Sequence, residues 1–223
     1  MSDVKTLHEQ VKSGDLTGVR ATLAGNPDLL NAKNDAGQCA LLLSQYYGRH
    51  EVAEYLLTLG PALDIFTAAA TGRTDAVLSE LDRDPALIGA HSTDGWTPLH
   101  LAAFFGRKDL AQSLIERGAE VDAQSTNAMK NTPLHAATAG KKADLAKLLL
   151  EEGANANARQ AGGWTPLHGA AQNGDREIIE VLLAHNADLK VRADNNQGPL
   201  DLALQKGHED VAAMLQQLGA GLQ

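Results

Sequence analysis

The apolar positions of the chain recur in the rhythm of short paired helices. Between Lys108 and Glu116, Leu110, Ala111, Leu114 and Ile115 fall on one face at helical spacing. Just upstream, Pro98 to Phe105 is a shorter, Ala-rich apolar run that stops at Gly106, a residue that tolerates the left-handed conformation of a helix end. Thr97 stands where an N-cap hydroxyl is wanted, and Pro98 takes the first helical position, where its missing N–H costs nothing. The second helix ends at Gly118 and an extended turn segment leads on. A helix pair this small cannot bury its apolar face alone, so the pattern predicts successive pairs stacked on one another.

The same grammar repeats. Thr97-Pro98-Leu99-His100 recurs at Thr132-Pro133-Leu134-His135 and Thr165-Pro166-Leu167-His168, with a degenerate copy at Gly198-Pro199-Leu200-Asp201, at spacings of 35, 33 and 33 residues. Gly118, Gly153, Asn186 and Gly219 keep the same beat of 35, 33 and 33. The amino-terminal half repeats at an offset of 58: Gly14 with Gly72, Gly48 with Gly106, Gly60 with Gly118. At that offset Asn26-Pro27-Asp28-Leu29-Leu30-Asn31-Ala32 aligns with Asp84-Pro85-Ala86-Leu87-Ile88-Gly89-Ala90. Residues 1–60 and 61–118 therefore read as two copies of a two-repeat unit.

The Thr-Pro-Leu-His-x-Ala motif, the helix–turn–helix and the 33-residue beat resemble ankyrin repeats. The resemblance implies an all-α ankyrin-repeat solenoid of about seven helix-turn-helix repeats with short hairpin loops. The chain is expected to form one domain over 1–223, with repeats near 1–33, 34–63, 64–92, 93–125, 126–159, 160–191 and 192–223. Two departures stand out. The third repeat, Ile65 to Ala90, lacks the tetrad and follows Gly60 without a hairpin; the fifth moves its glycine to Gly140 and leaves Lys141 at the usual glycine position. The terminal helices, Asp3 to Ser13 and Glu209 to Gln217, carry Glu9-Gln10 and Gln216-Gln217 on what would be outer, cap-like faces.

Composition narrows the function. With 19 Lys+Arg against 28 Asp+Glu the net charge is −9, which argues against a general nucleic-acid coat. The single cysteine, Cys39, cannot form an internal disulfide, and Met1-Ser2-Asp3-Val4-Lys5 shows no apolar signal segment. Apolar runs such as Ala40-Leu41-Leu42-Leu43 are too short to span a bilayer. An intracellular, cytoplasmic protein is expected, without membrane or nucleic-acid partner.

Candidate chemistry reads as scaffold. His100, His135 and His168 recur one repeat apart, too far to converge on one ion, and the resemblance implies that each hydrogen-bonds neighbouring backbone. His8, His50, His91, His185 and His208 are expected at helix ends and in loops, without metal-ligand spacing. Cys39 occupies the tetrad's threonine position, with Leu42 in place of the histidine and no base beside it. Gly162-Gly163 lacks a phosphate-loop context, and Glu151-Glu152 ends a polar helix face. No catalytic residue, metal site or cofactor is expected.

The resemblance assigns recognition to a concave face made of residues just before each first-helix glycine and of the hairpin tips. The first slots hold Tyr46-Tyr47, Phe104-Phe105 and Gln172-Asn173; the tips hold Asp94-Gly95-Trp96, Met129-Lys130-Asn131 and Gly162-Gly163-Trp164. Six of the eight aromatics occupy these slots, all but Tyr55 and Phe66. Tyr46, Phe104, Trp96 and Trp164 are expected at the surface, whereas Tyr47 and Phe105 suit either a core or a surface position. Arg49, Arg73, Arg107-Lys108 and Lys141-Lys142 trace a basic line along the turns between paired helices, either a solvated edge or a guide for an acidic partner. The expected function is a monomeric, non-enzymatic module that binds a partner protein or peptide. An enzyme or small-molecule binder using the groove, or self-association through the aromatic patch, are the alternatives.

Overall fold

The computed structural model describes residues 2–220 and is built from helices, with one isolated antiparallel bridge, Lys33 to Cys39, among the described residues. Two compact units divide the chain, one up to Asp82 and one from Arg83. The first holds α1 (Ser2–Ser13), α2 (Leu16–Gly25), α3 (Ala40–Tyr46), α4 (His50–Thr58), α5 (Ile65–Thr71) and α6 (Thr74–Arg83), the boundary falling at the end of α6. The second holds α7 (Pro98–Phe105), α8 (Lys108–Glu116), α9 (Pro133–Ala139), α10 (Ala143–Glu151), α11 (Pro166–Asn173), α12 (Arg176–Ala184), α13 (Pro199–Lys206) and α14 (Glu209–Ala220).

Within each unit the helices pack in two layers. In the second, α7, α9, α11 and α13 pack in chain order as inner helices, while α8, α10 and α12 follow one another outside. In the first, α1, α3 and α5 form the inner row and α2 packs on α4. Alanine makes the close inner packing possible: Ala102, Ala103, Ala136, Ala137, Ala170, Ala171 and Ala203 are fully buried. Leucine fills the seam to the outer row, with Leu110, Leu114, Leu149 and Leu182 all removed from solvent. The helix-pair repeat expected from the sequence is thus the repeat observed.

Local signals explain most helix ends. Gly72, Gly106, Gly174 and Gly207 terminate α5, α7, α11 and α13 in the left-handed conformation. The two segments aligned at the 58-residue offset share a conformation, each a 3-10 turn with proline at its start, Pro27–Asn31 and Pro85–Gly89. The third repeat does run from Gly60 into α5 without a hairpin. Asp64 replaces the tetrad's threonine as its cap, its carboxylate accepting the Thr67 N–H at 2.7 Å and pairing with Lys33 at 2.8 Å. Asp64→Ala is expected to cost about 1 kcal/mol, the usual value of a lost N-cap, read as a lower urea midpoint.

Some expectations need correction. Gly219 keeps the beat of the helix-ending Gly118 but lies within a helix: α14 continues through it to Ala220, past the expected Gln217. His8 is not at a helix end. It lies within α1 beside Leu7 on the inward face, 3% exposed, and burial pushes its pKa down. Gln10, read as an outer-cap residue, is half-buried and accepts a 2.9 Å hydrogen bond from the Thr22 hydroxyl. In the fifth repeat Gly140 keeps right-handed helical geometry, while Lys141 takes the left-handed turn at φ +55°.

Candidate partner-binding face

The tetrads build the frame of the second unit. Thr97 N–H donates to His100 Nδ1 at 3.3 Å, so that nitrogen carries no proton. The proton sits on Nε2, which donates to the Asn131 carbonyl of the next repeat at 2.9 Å. His135 repeats the arrangement, with Thr132 N–H at Nδ1 and the Trp164 carbonyl at 3.3 Å from Nε2. His168 does the same with Thr165 and the Gln197 carbonyl, at 3.1 Å. Each histidine therefore ties its own helix start to the tip of the following repeat. Burial pushes the pKa of His100 and of His135 down to about 4, and lowers that of His168.

Backbone bonds join the tips to one another. Thr126 N–H donates to the Gly95 carbonyl (2.9 Å), Ala161 N–H to that of Met129 (2.8 Å) and Asp194 N–H to that of Gly162 (2.9 Å). The Asn127 side chain adds a bond to the Asp94 carbonyl at 2.9 Å. This rail was not visible in the sequence, since any residue but proline supplies its donors and acceptors.

The candidate residues sit on this frame as follows. Trp96 is half-buried, stacked on its own tetrad's His100 at 6.0 Å between centroids and edge-on to Phe104 at 5.2 Å. Phe104 meets Phe105 edge-on at 5.0 Å, so three rings form one half-buried cluster. Trp164 copies Trp96, 5.7 Å from His168, and Met129 is 48% exposed on the tip rail. Asp94 is half-buried beside the rail. Gln172 and Asn173 belong partly to the scaffold: the Gln172 carbonyl accepts from His208 Nε2 at 3.0 Å, and the Asn173 amide donates to the Thr138 carbonyl at 3.2 Å. In the first unit, Tyr46 is half-buried and Tyr47 is 48% exposed, with Lys12 Nζ 6.0 Å above its ring.

The basic line divides by role. Arg49 donates from Nε to the Lys12 carbonyl at 2.8 Å, placing a cation at the carboxyl end of α1. Arg73 is exposed and borders a shallow cleft with Leu63, Gly72 and Asp75. In the second unit Arg107 is half-buried, and burial lowers its pKa. Lys108, Lys141 and Lys142 line a cleft of about 300 Å³. Cys39 is 7% exposed with its sulfur 3.8 Å from the Thr67 hydroxyl, as a small filler would be. Among the described residues no three His, Cys, Asp or Glu gather as metal ligands, and no helix is long and apolar enough to cross a membrane.

Comparison with known proteins adds the lineage. A family model for ankyrin repeats matches three times, at residues 7–125, 65–160 and 134–223. An ankyrin repeat-containing protein of Schizosaccharomyces pombe is 39% identical over 26% of this chain and 28% of its own. The target of rapamycin complex 2 subunit AVO2 of Saccharomyces cerevisiae is 28% identical over 54% of this chain and 31% of its own. Human ankyrin repeat domain-containing protein 49 is 31% identical over 48% of this chain and 41% of its own. The chain thus spans less than half the length of each of these curated relatives.

Proposed function

Since this chain belongs to the ankyrin-repeat family, whose members generally mediate protein–protein contacts and are typically not enzymes, we propose that it is a monomeric, non-enzymatic module that binds a partner protein or peptide. The binding face is that of the inner helices and hairpin tips, centred in the second unit on Trp96, Phe104, Phe105, Met129 and Trp164, with Asp94, Gln172 and Asn173 at its margins. Tyr46 and Tyr47 offer a smaller apolar surface in the first. One observation carries the reading: a cluster of half-buried rings stands on α7, and α7, α9 and α11 contain no Asp, Glu, Lys or Arg. Charge is depleted and aromatics are enriched at the centres of protein interfaces. A yeast relative named as a subunit of a multiprotein complex supports the same reading. The module acts inside the cell, as its lone buried cysteine suits.

Capture from the native cell by the full chain is compared with capture by a Trp96→Ala, Phe104→Ala variant. The variant is expected to lose about 2 kcal/mol or more of binding, more than tenfold in affinity, because buried interface aromatics are the usual hot spots. It loses about 3 kcal/mol of stability from two half-buried rings and their contacts, and circular dichroism checks that it remains folded. Undiminished capture by the folded variant rejects the proposal.

A further inference from the structure

The turn between α9 and α10 makes one local choice that the other repeats avoid and shares a second with two of them. The left-handed position after the inner helix is glycine at Gly72, Gly106, Gly174 and Gly207, but here it is Lys141 at φ +55°, a conformation that glycine adopts at less cost. The cap of the outer helix is an aspartate in α2 and α12, where Asp15 and Asp175 accept the N–H of Gly18 and Ile178. For α10 it is Lys142, which makes no side-chain cap bond, as is also true of Arg49 at α4 and Arg107 at α8. Both choices give up local stability, and both put a cation in the same place.

That place is a cleft of about 300 Å³ lined by Lys108, Lys141 and Lys142, with the carboxylates Asp144 and Glu177 also on its wall. Despite those carboxylates, none of the three lysines forms an ion pair among the described residues. Lys141 spends one donor on the Asn173 carbonyl at 3.2 Å. The Lys142 stem lies across the end of α7: a Cβ added at Gly106 would meet its Cδ at 3.0 Å. Gly106 directly follows Phe104 and Phe105, so the ring cluster and the cation cleft share one helix end.

We infer that this cleft receives a carboxylate side chain of the bound segment, so the partner presents an acidic residue beside the apolar side chains that seat on Phe104 and Phe105. The inference rests on the binding face proposed above and specifies its partner: an acidic, apolar peptide segment. In a chain of net charge −9, a local excess of unpaired lysine attracts such a segment, while the acidic remainder of the surface repels it and so confines it to the cleft.

The test uses the full chain and three fluorescein-labelled synthetic peptides of equal length, alternating Leu and Phe with Glu, with Gln or with Lys, read by fluorescence anisotropy. The Glu peptide is expected to bind about tenfold tighter than the Gln peptide at low salt, with the gap narrowing as salt screens the lysines. Lys108→Glu, Lys141→Glu, Lys142→Glu together should reverse the order in favour of the Lys peptide; the corresponding Gln variants should remove the gap without adding repulsion. Lys147→Glu, exposed on the outer helix α10 and outside the cleft, should change nothing. Equal binding of Glu and Gln peptides, a gap that survives the lysine changes, or no binding of the Glu peptide each overturns the inference. The two readings separate cleanly. Loss of all peptide binding in Trp96→Ala, Phe104→Ala without any Glu preference keeps the binding face and removes the carboxylate site. Unchanged binding in that ring variant removes the face itself.

Discussion

Lowering the pH from about 7 to about 4 is expected to remove about 6 kcal/mol of stability through His100 and His135 alone. Both have pKa values pushed down by burial from 6.5 to about 4, so the folded protein holds them neutral where the unfolded chain binds a proton. Above pH 6.5 both states are neutral and stability does not depend on them. As the pH falls from 6.5 towards 4 the unfolded chain takes up protons that the folded chain refuses, and the folded state loses ground. Below about 4 the folded state protonates too, and the dependence ends. For each histidine, a pKa lowered from 6.5 to about 4 corresponds to about 3 kcal/mol. The lowered pKa of His168 acts in the same direction.

The hydrogen bonds explain why the neutral form is required. An added proton on Nδ1 would face the Thr97 or Thr132 N–H that now donates to it, leaving two donors head to head. Urea midpoints followed by circular dichroism between pH 7 and 4.5 check the expectation. His135→Gln, which keeps polar atoms but cannot titrate, should start less stable at pH 7 and then show a slope shallower by about 1.4 kcal/mol per pH unit. An unchanged slope would show that His135 is not held neutral by the fold.

The second large effect is expected at Gly140. A Cβ there would lie 2.1 Å from the Phe104 carbonyl oxygen, which belongs to backbone and cannot rotate away. Gly140→Ala is expected to push α9 from α7 and cost about 3 kcal/mol, the upper end for overpacking. It should also disturb the near-ultraviolet signal of Trp96, whose ring leans on Phe104. Lys141→Gly, one residue on, should be tolerated, because glycine suits φ +55° better than lysine does. The displaced glycine is thereby explained: close packing claims residue 140, and the turn is left to its neighbour. Thermal unfolding of the two variants side by side separates the effects.

The fold was legible because its signals are local and repeated. Thr97, Pro98 and Gly106 mark where α7 starts and stops, and their copies do the same for α9 and α11. Even the untypical third repeat declared itself by the missing hairpin. Errors arose where a residue type has two uses. Gly219 has the type of a turn marker but is carried within a helix; His8 has the type of a surface residue but faces inward between Leu7 and Val11. The candidate face was legible in outline, since aromatic residues are scarce and fall in a few slots. Its arrangement was not, because ring stacking between Trp96 and His100 depends on side-chain torsions, and the tip rail on backbone groups common to nearly every residue. Nor does spacing disclose that Arg49 serves the carboxyl end of α1 while Lys108 and Lys142 border a cleft.

The rail has a further consequence for how such a surface changes. The bonds from Thr126 to Gly95, from Ala161 to Met129 and from Asp194 to Gly162 use main-chain donors and acceptors. Replacing Met129, or Trp164 beside Gly162, rewrites what the face offers a partner while leaving those bonds in place. Specificity and architecture are thus encoded in different atoms of the same residues. A lineage, or a selection experiment that randomises the tips and leaves the glycines alone, can retarget this surface one position at a time without first solving the folding problem again.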